Sequence, residues 1–147
     1  MRTLSGFLAA GLVLLPIAAG AVELTPSNPA PKDLYGTYGP RGDCRASPRV
    51  SLDSTGLYIV IGSRRGRVPR VDTCFSCPGG ARYDGIEVWL SPMAGKVYAA
   101  HFRFNADERR GALVVEPTHD VVLGTNLRSV VAASPYRRCG PPTQAAP

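Results

Sequence analysis

The sequence predicts an all-β fold, a small antiparallel β-sandwich or barrel of about seven or eight short strands stabilised by disulfides. Three observations lead there. Apolar residues recur with a period of about two rather than 3.6, the alternation of a strand. The runs are short, rich in Val, Ile, Tyr and Phe, and separated by Gly, Pro, Asn, Asp and Ser. Four cysteines stand in a 147-residue chain whose first residues read as an export signal.

The chain opens with one positive residue, Arg2, and the apolar run "FLAAGLVLLPIAAG". Ala19-Gly20-Ala21 has the small-x-small pattern of a cleavage site, so residues 1–21 read as a signal peptide cut after Ala21. The run is short for a span of about 20 apolar residues, and Pro16 interrupts it. The expected destination is the periplasm or the exterior, with no transmembrane segment in the mature chain. Residues 22–33, "VELTPSNPAPKD", hold three prolines and read as a linker. The tail 140–147, "GPPTQAAP", reads as flexible. Between them, 34–139 form the single β domain.

The strand patterns follow in order. In "PRVSLD", Val50 and Leu52 alternate with Arg49, Ser51 and Asp53. "STG" turns the chain into "LYIVIG". In "GIEVWL", Ile86, Val88 and Leu90 alternate with Glu87 and Trp89. In "KVYAAHFRF", Tyr98, Ala100, Phe102 and Phe104 share one face, and Val97, Ala99, His101 and Arg103 the other. "NADERRG" is a polar turn before "ALVVEP", and "DVVLG" and "RSVVAAS" read as further strands. No amphipathic helix longer than a turn or two is expected.

Four cysteines in an exported chain suggest two disulfides among three possible connectivities. The favoured set joins Cys44 to Cys139 across the domain and Cys74 to Cys77 within "DTCFSCPGG". A catalytic Cys-x-x-Cys obtains its thiolate from a helix N-terminus and a neighbouring cation. Pro78-Gly79-Gly80 is turn chemistry instead, which argues for a structural staple. Haem attachment needs a histidine where Pro78 stands, and zinc needs two close ligand pairs, whereas Cys44 and Cys139 are singletons. No metal and no cofactor is implied.

Other motifs are weighed against simpler readings. His101 and His119, the only histidines, have no ligand spacing and read as packing or surface residues. No serine lies in a nucleophile elbow. Arg41-Gly42-Asp43 matches an adhesion tripeptide, but a turn through Gly42 explains it equally. The densest charge is "SRRGRVPR", read as a basic loop between two apolar runs, with Arg64, Arg65, Arg67 and Arg70 as candidate anion-binding residues. The formal charge of +6 becomes +5 once Arg2 is removed, and only Lys32 and Lys96 are lysines.

These features favour a non-enzymatic exported β-domain with a binding role in the cell envelope. Its expected partner is an anionic polymer or envelope component, not a specific nucleic acid, because no aromatic stacking platform lies beside the arginines. The alternatives are a thiol–disulfide oxidoreductase using Cys74 and Cys77, and an inhibitor of an exported enzyme.

Overall fold

The computed structural model describes residues 21–80 and 82–140. Most of the expected signal peptide and all but Gly140 of the expected tail lie outside the described residues. The fold is mostly antiparallel β, with eleven strands among the described residues rather than seven or eight. They are β1 (Val22–Glu23), β2 (Gly36–Pro40), β3 (Arg49–Asp53), β4 (Gly56–Ile61), β5 (Arg64–Arg67), β6 (Val71–Cys74), β7 (Val88–Ala94), β8 (Val97–Tyr98), β9 (Ala100–Phe104), β10 (Ala112–Pro117) and β11 (Tyr136–Arg138). The sheet runs β1-β6-β7-β9-β10-β11-β2-β3-β4-β5, with β8 paired to β7. It is one continuous curled sheet, a half-barrel, rather than two facing sheets.

Connectivity forces the curl. β5 ends the strand order, and β6 lies one strand from the opposite end. Only Val68, Pro69 and Arg70 join them. A connection of that length spans at most roughly 14 Å, so the two ends of the sheet must face each other. The concave side is filled by alternating residues of the strands, among them Tyr38, Val50, Leu52, Leu57, Phe102 and Leu113, all buried. Each such aliphatic or aromatic side chain contributes about 1.5–3 kcal/mol by leaving water. Tyr38 meets Phe104 edge to face at 5.1 Å and donates its hydroxyl to the Leu34 carbonyl at 2.8 Å.

Two disulfides are present, Cys44–Cys139 and Cys74–Cys77. The first joins the loop after β2 to the residue after β11, and those two strands already pair. Beside it, Gly39 is needed for space: a Cβ there would lie 2.3 Å from the Asp43 carbonyl oxygen. That turn contains Arg41-Gly42-Asp43. The Asp43 carboxylate accepts from the backbone amides of Arg45 and Ala46 and so serves its own loop.

The structure departs from the sequence-based expectations in five places. Residues 22–33 are not a free linker. β1 pairs with β6, the Leu24 amide donates to Val71, and Leu24 and Ala30 are buried in the core. "DVVLG" forms no strand, and "RSVVAAS" lies mainly in helix α1 (Thr125–Ala132). Leu127, Val130 and Val131 form its core stripe at i, i+3 and i+4. The helix packs on both β4 and β10, which three strands separate in the order, so it covers the concave side.

Tyr98 does not share a face with Ala100. Across the β7–β8 pair, partner numbers sum to 191 (Met93 with Tyr98); across β7–β9 they sum to 192 (Leu90 with Phe102). One extra residue therefore intervenes, a bulge at Ala99, and Tyr98 turns outward beside His101 at 5.7 Å between rings. Arg64, Arg65 and Arg67 belong to a strand rather than a loop: β5 pairs with β4 through a Gly62–Ser63 turn, and only Arg70 lies in the connection to β6.

Candidate anion-binding site

β5 is an edge strand, and every residue in it is exposed. Its sequence, Arg-Arg-Gly-Arg, offers nothing to bury, and charge on an edge discourages pairing with another sheet. Alternation sends Arg65 and Arg67 to the convex face, opposite Val60 and Tyr58 of β4. Arg65 is partly committed there. Its guanidinium pairs with Asp53 and stands 3.4 Å from the centroid of the Tyr58 ring. Both charged groups are well exposed, so the pair contributes at most about 1 kcal/mol. Desolvation would raise the Asp53 carboxyl, but hydrogen bonds from Thr55 and the Arg65 guanidinium outweigh it and hold the group below its ordinary range.

The other arginines are less engaged. Arg70 has a left-handed backbone and donates to the Gly95 carbonyl at 3.2 Å. Arg67 lies across Gly56, whose added Cβ would fall 3.0 Å from the Arg67 Nε. Among the described residues no ion pair involves Arg64, Arg67 or Arg70. The geometry thus gathers three cations with free donor capacity along one edge and the connection that leaves it. Planar guanidinium groups at such a place can bind phosphate, sulfate or carboxylate.

Sequence reasoning missed a different polar centre on the convex face of β7, β9 and β10. Glu87 keeps only 5% of its side chain exposed. Its Oε1 accepts from Trp89 Nε1 and Arg103 Nε, both at 2.7 Å, and its Oε2 from the Asp107 amide at 2.8 Å and Arg103 Nη2 at 3.3 Å. Arg103 also bonds Asp107 and Glu116, and Arg109 bonds Asp107. The turn behind it holds Asn105, Asp107 and Glu108 in the left-handed region, which Asn and Asp tolerate best among residues with a Cβ. Burial alone would raise the Glu87 carboxyl, but the hydrogen bonds from Arg103, Trp89 and the Asp107 amide and the Arg103 charge hold it below its ordinary range. Every hydrogen-bonding site of this carboxylate is met internally, the pattern of a structural network.

His101 lies beside that network, tilted against Trp89 at 4.9 Å, with Nδ1 2.8 Å from the Ser91 hydroxyl. Burial lowers its pKa, and the facing Glu116 charge partly opposes this. Ser91 is buried on a regular strand, and the Glu116 carboxylate is taken by Arg103, so the grouping has the geometry of packing. His119 is exposed in the turn after β10. The two histidines are not brought into one metal cluster, and no group of three potential ligands occurs among the described residues.

Cys74 ends β6 and is buried, while Cys77 is exposed in the following loop. Cys77 lies within a turn closed by the Gly79 amide and the Ser76 carbonyl, so among the described residues no helix begins at these sulfurs. No helix among the described residues is long and apolar enough to cross a membrane. Comparison of the chain with protein-family models, curated proteins and solved structures finds no match.

Proposed function

We propose that this chain is an exported, non-enzymatic β-domain with a binding role in the cell envelope, and that the Arg64–Arg70 edge is its anion-binding surface. The observation that carries this reading is the exposure of Arg64, Arg65 and Arg67 on an edge strand that pairs only with β4, with Arg70 the next arginine in the chain. Arg64, Arg67 and Arg70 have no ion pair among the described residues, and an anion would offset their like charge. Two disulfides suit an oxidising compartment. Cleavage after Ala21 would fall immediately before β1 and leave every described strand whole.

Heparin serves as a probe polyanion. Binding to the wild-type chain is expected at low salt and should weaken steeply toward physiological ionic strength, where exposed charges are screened within about 8–10 Å. Replacing Arg64, Arg65, Arg67 and Arg70 together by glutamine should abolish it with little change in thermal midpoint. No binding at low salt, or equal binding by the glutamine variant, refutes the reading. N-terminal sequencing of exported protein should begin at Val22, and an intact Met1 on exported protein would refute the cleavage.

A further inference from the structure

Where the curled ends of the sheet approach each other, a cleft of about 540 Å³ opens. Its walls include Ile59, Val68, Pro69, Met93, Ala99 and Leu127, a mostly apolar lining. Val122, 92% exposed, stands at the same cleft on the segment leading into α1. Apolar clefts of about 300–1,000 Å³ with a few polar groups nearby are the usual form of small-molecule sites, and the mouths of curled β-sheets are a common place for them.

A second cleft, about 370 Å³, adjoins the first: Arg67, Val68 and Pro69 line both. This one is cationic in character. Arg67 and Arg70 line it together with Gly56, against which the Arg67 guanidinium lies. Glu23 lines it too and offsets part of the charge. An apolar compartment and an arginine-lined compartment therefore share one wall. A rigid apolar molecule would use only the first, and a simple anion only the second. A molecule with one apolar chain and one anionic head uses both.

We propose that the paired clefts bind a single-chain anionic amphiphile, its acyl chain in the Met93–Leu127 cleft and its head group at Arg67 and Arg70. This rests on the anion-binding reading of the arginine edge and narrows its ligand to a lipid-derived one. The two halves of such a ligand act by different physics. Each buried methylene gains about fourfold in affinity, and loss of a charge-assisted hydrogen bond costs about tenfold or more.

The test is calorimetric titration with octyl phosphate, decyl phosphate, decyl maltoside and inorganic phosphate, each below its aggregation threshold, with heparin alongside. Decyl phosphate should bind about 15-fold more tightly than octyl phosphate. Decyl maltoside and inorganic phosphate should each bind at least about tenfold more weakly than decyl phosphate. Val122→Asp and the double variant Arg67→Gln/Arg70→Gln change exposed residues, so both should keep the wild-type thermal midpoint, and each should weaken decyl phosphate by about tenfold. Equal affinity for octyl and decyl phosphate, equal affinity for decyl maltoside and decyl phosphate, or an unaffected Val122→Asp overturns the inference. Heparin binding without decyl phosphate binding overturns the amphiphile while the anion-binding edge stands; binding of neither removes both.

Discussion

Removing Arg103 tests the energetic reasoning most directly. Its guanidinium supplies two of the four N–H donors that reach the Glu87 carboxylate, and the only ion pair that carboxylate makes among the described residues. Breaking a fully buried ion pair costs about 3–5 kcal/mol, because the remaining charge is stranded. Here Arg103 retains 20% exposure, and the Trp89 and Asp107 donors stay in place. The expected cost of Arg103→Met is therefore lower, about 2–3 kcal/mol. The exposed partners Asp107 and Glu116 add little. Urea unfolding at pH 7 should show a lower midpoint with an unchanged slope.

Acid adds a second readout whose sign is fixed. In the wild-type chain the folded Glu87 pKa lies below its ordinary value of 4.5. Its contribution is therefore present above that value and lost as pH falls through the lower folded pKa. Without Arg103, desolvation should become the dominant influence and the folded pKa should move above 4.5. Protonation then favours the folded variant, with a contribution fully present below the unfolded pKa and lost as pH rises through the folded one. The stability gap between wild type and Arg103→Met should narrow from pH 7 to pH 4. A gap that stays constant across that range, or a cost under about 0.5 kcal/mol at pH 7, would refute the assignment of Glu87 as a buried, Arg103-dependent anion.

Two further outcomes follow. Replacing Cys44 and Cys139 by serine should cost up to about 4.7 kcal/mol and replacing Cys74 and Cys77 about 2 kcal/mol, by loop-closure entropy over separations of 95 and 3 residues; urea unfolding that gives the reverse order refutes the ranking. Burial depresses the His101 pKa below 6.5, so its neutral ring contributes stability that is complete above 6.5 and falls as the solution is acidified toward the folded pKa. His101→Gln should flatten the stability profile over that interval, and an NMR titration placing His101 at or above 6.5 removes the basis for it.

The fold was legible where burial is one-sided. In β3, β9 and β10 the apolar alternation of Val50 and Leu52, of Phe102 and Phe104, and of Leu113 and Val115 reports the core face directly. It failed where a strand has little to bury. β5 presents no apolar residue, and β11 buries only Tyr136; each exists because its backbone pairs with a neighbour, which no side-chain period records. α1 was misread because "RSVVAAS" excludes Leu127, whose spacing to Val130 and Val131 reveals the helical stripe. The Leu24 anchor stands alone among polar residues and prolines, so composition suggested a linker. At the candidate site, the four arginines were legible as a run, but their edge position was not. The Glu87 network was hidden because Arg103 lies 16 residues away and the covering turn depends on left-handed Asn105 and Asp107.

That contrast between two charged regions bears on function. Around Glu87, carboxylates and guanidinium groups meet one another, and the acid most protected from water is also the one with the most donors. Such closure is what a buried charge requires if folding is not to strand it. The β5 edge is built the other way. Arg65 alone has a carboxylate partner, and that partner is exposed; Arg64, Arg67 and Arg70 have no ion pair among the described residues. Charge guards the edge against pairing with another sheet, but no contact within the fold uses an ion pair from those three arginines among the described residues. Their like sign is a cost of self-repulsion that only an anion can relieve. A network closed on itself is a reason to expect loss of stability when it is cut, whereas an open cationic edge is a reason to expect loss of binding. The Arg103→Met and four-arginine glutamine variants should therefore separate cleanly, the first in urea and acid, the second in salt-dependent affinity.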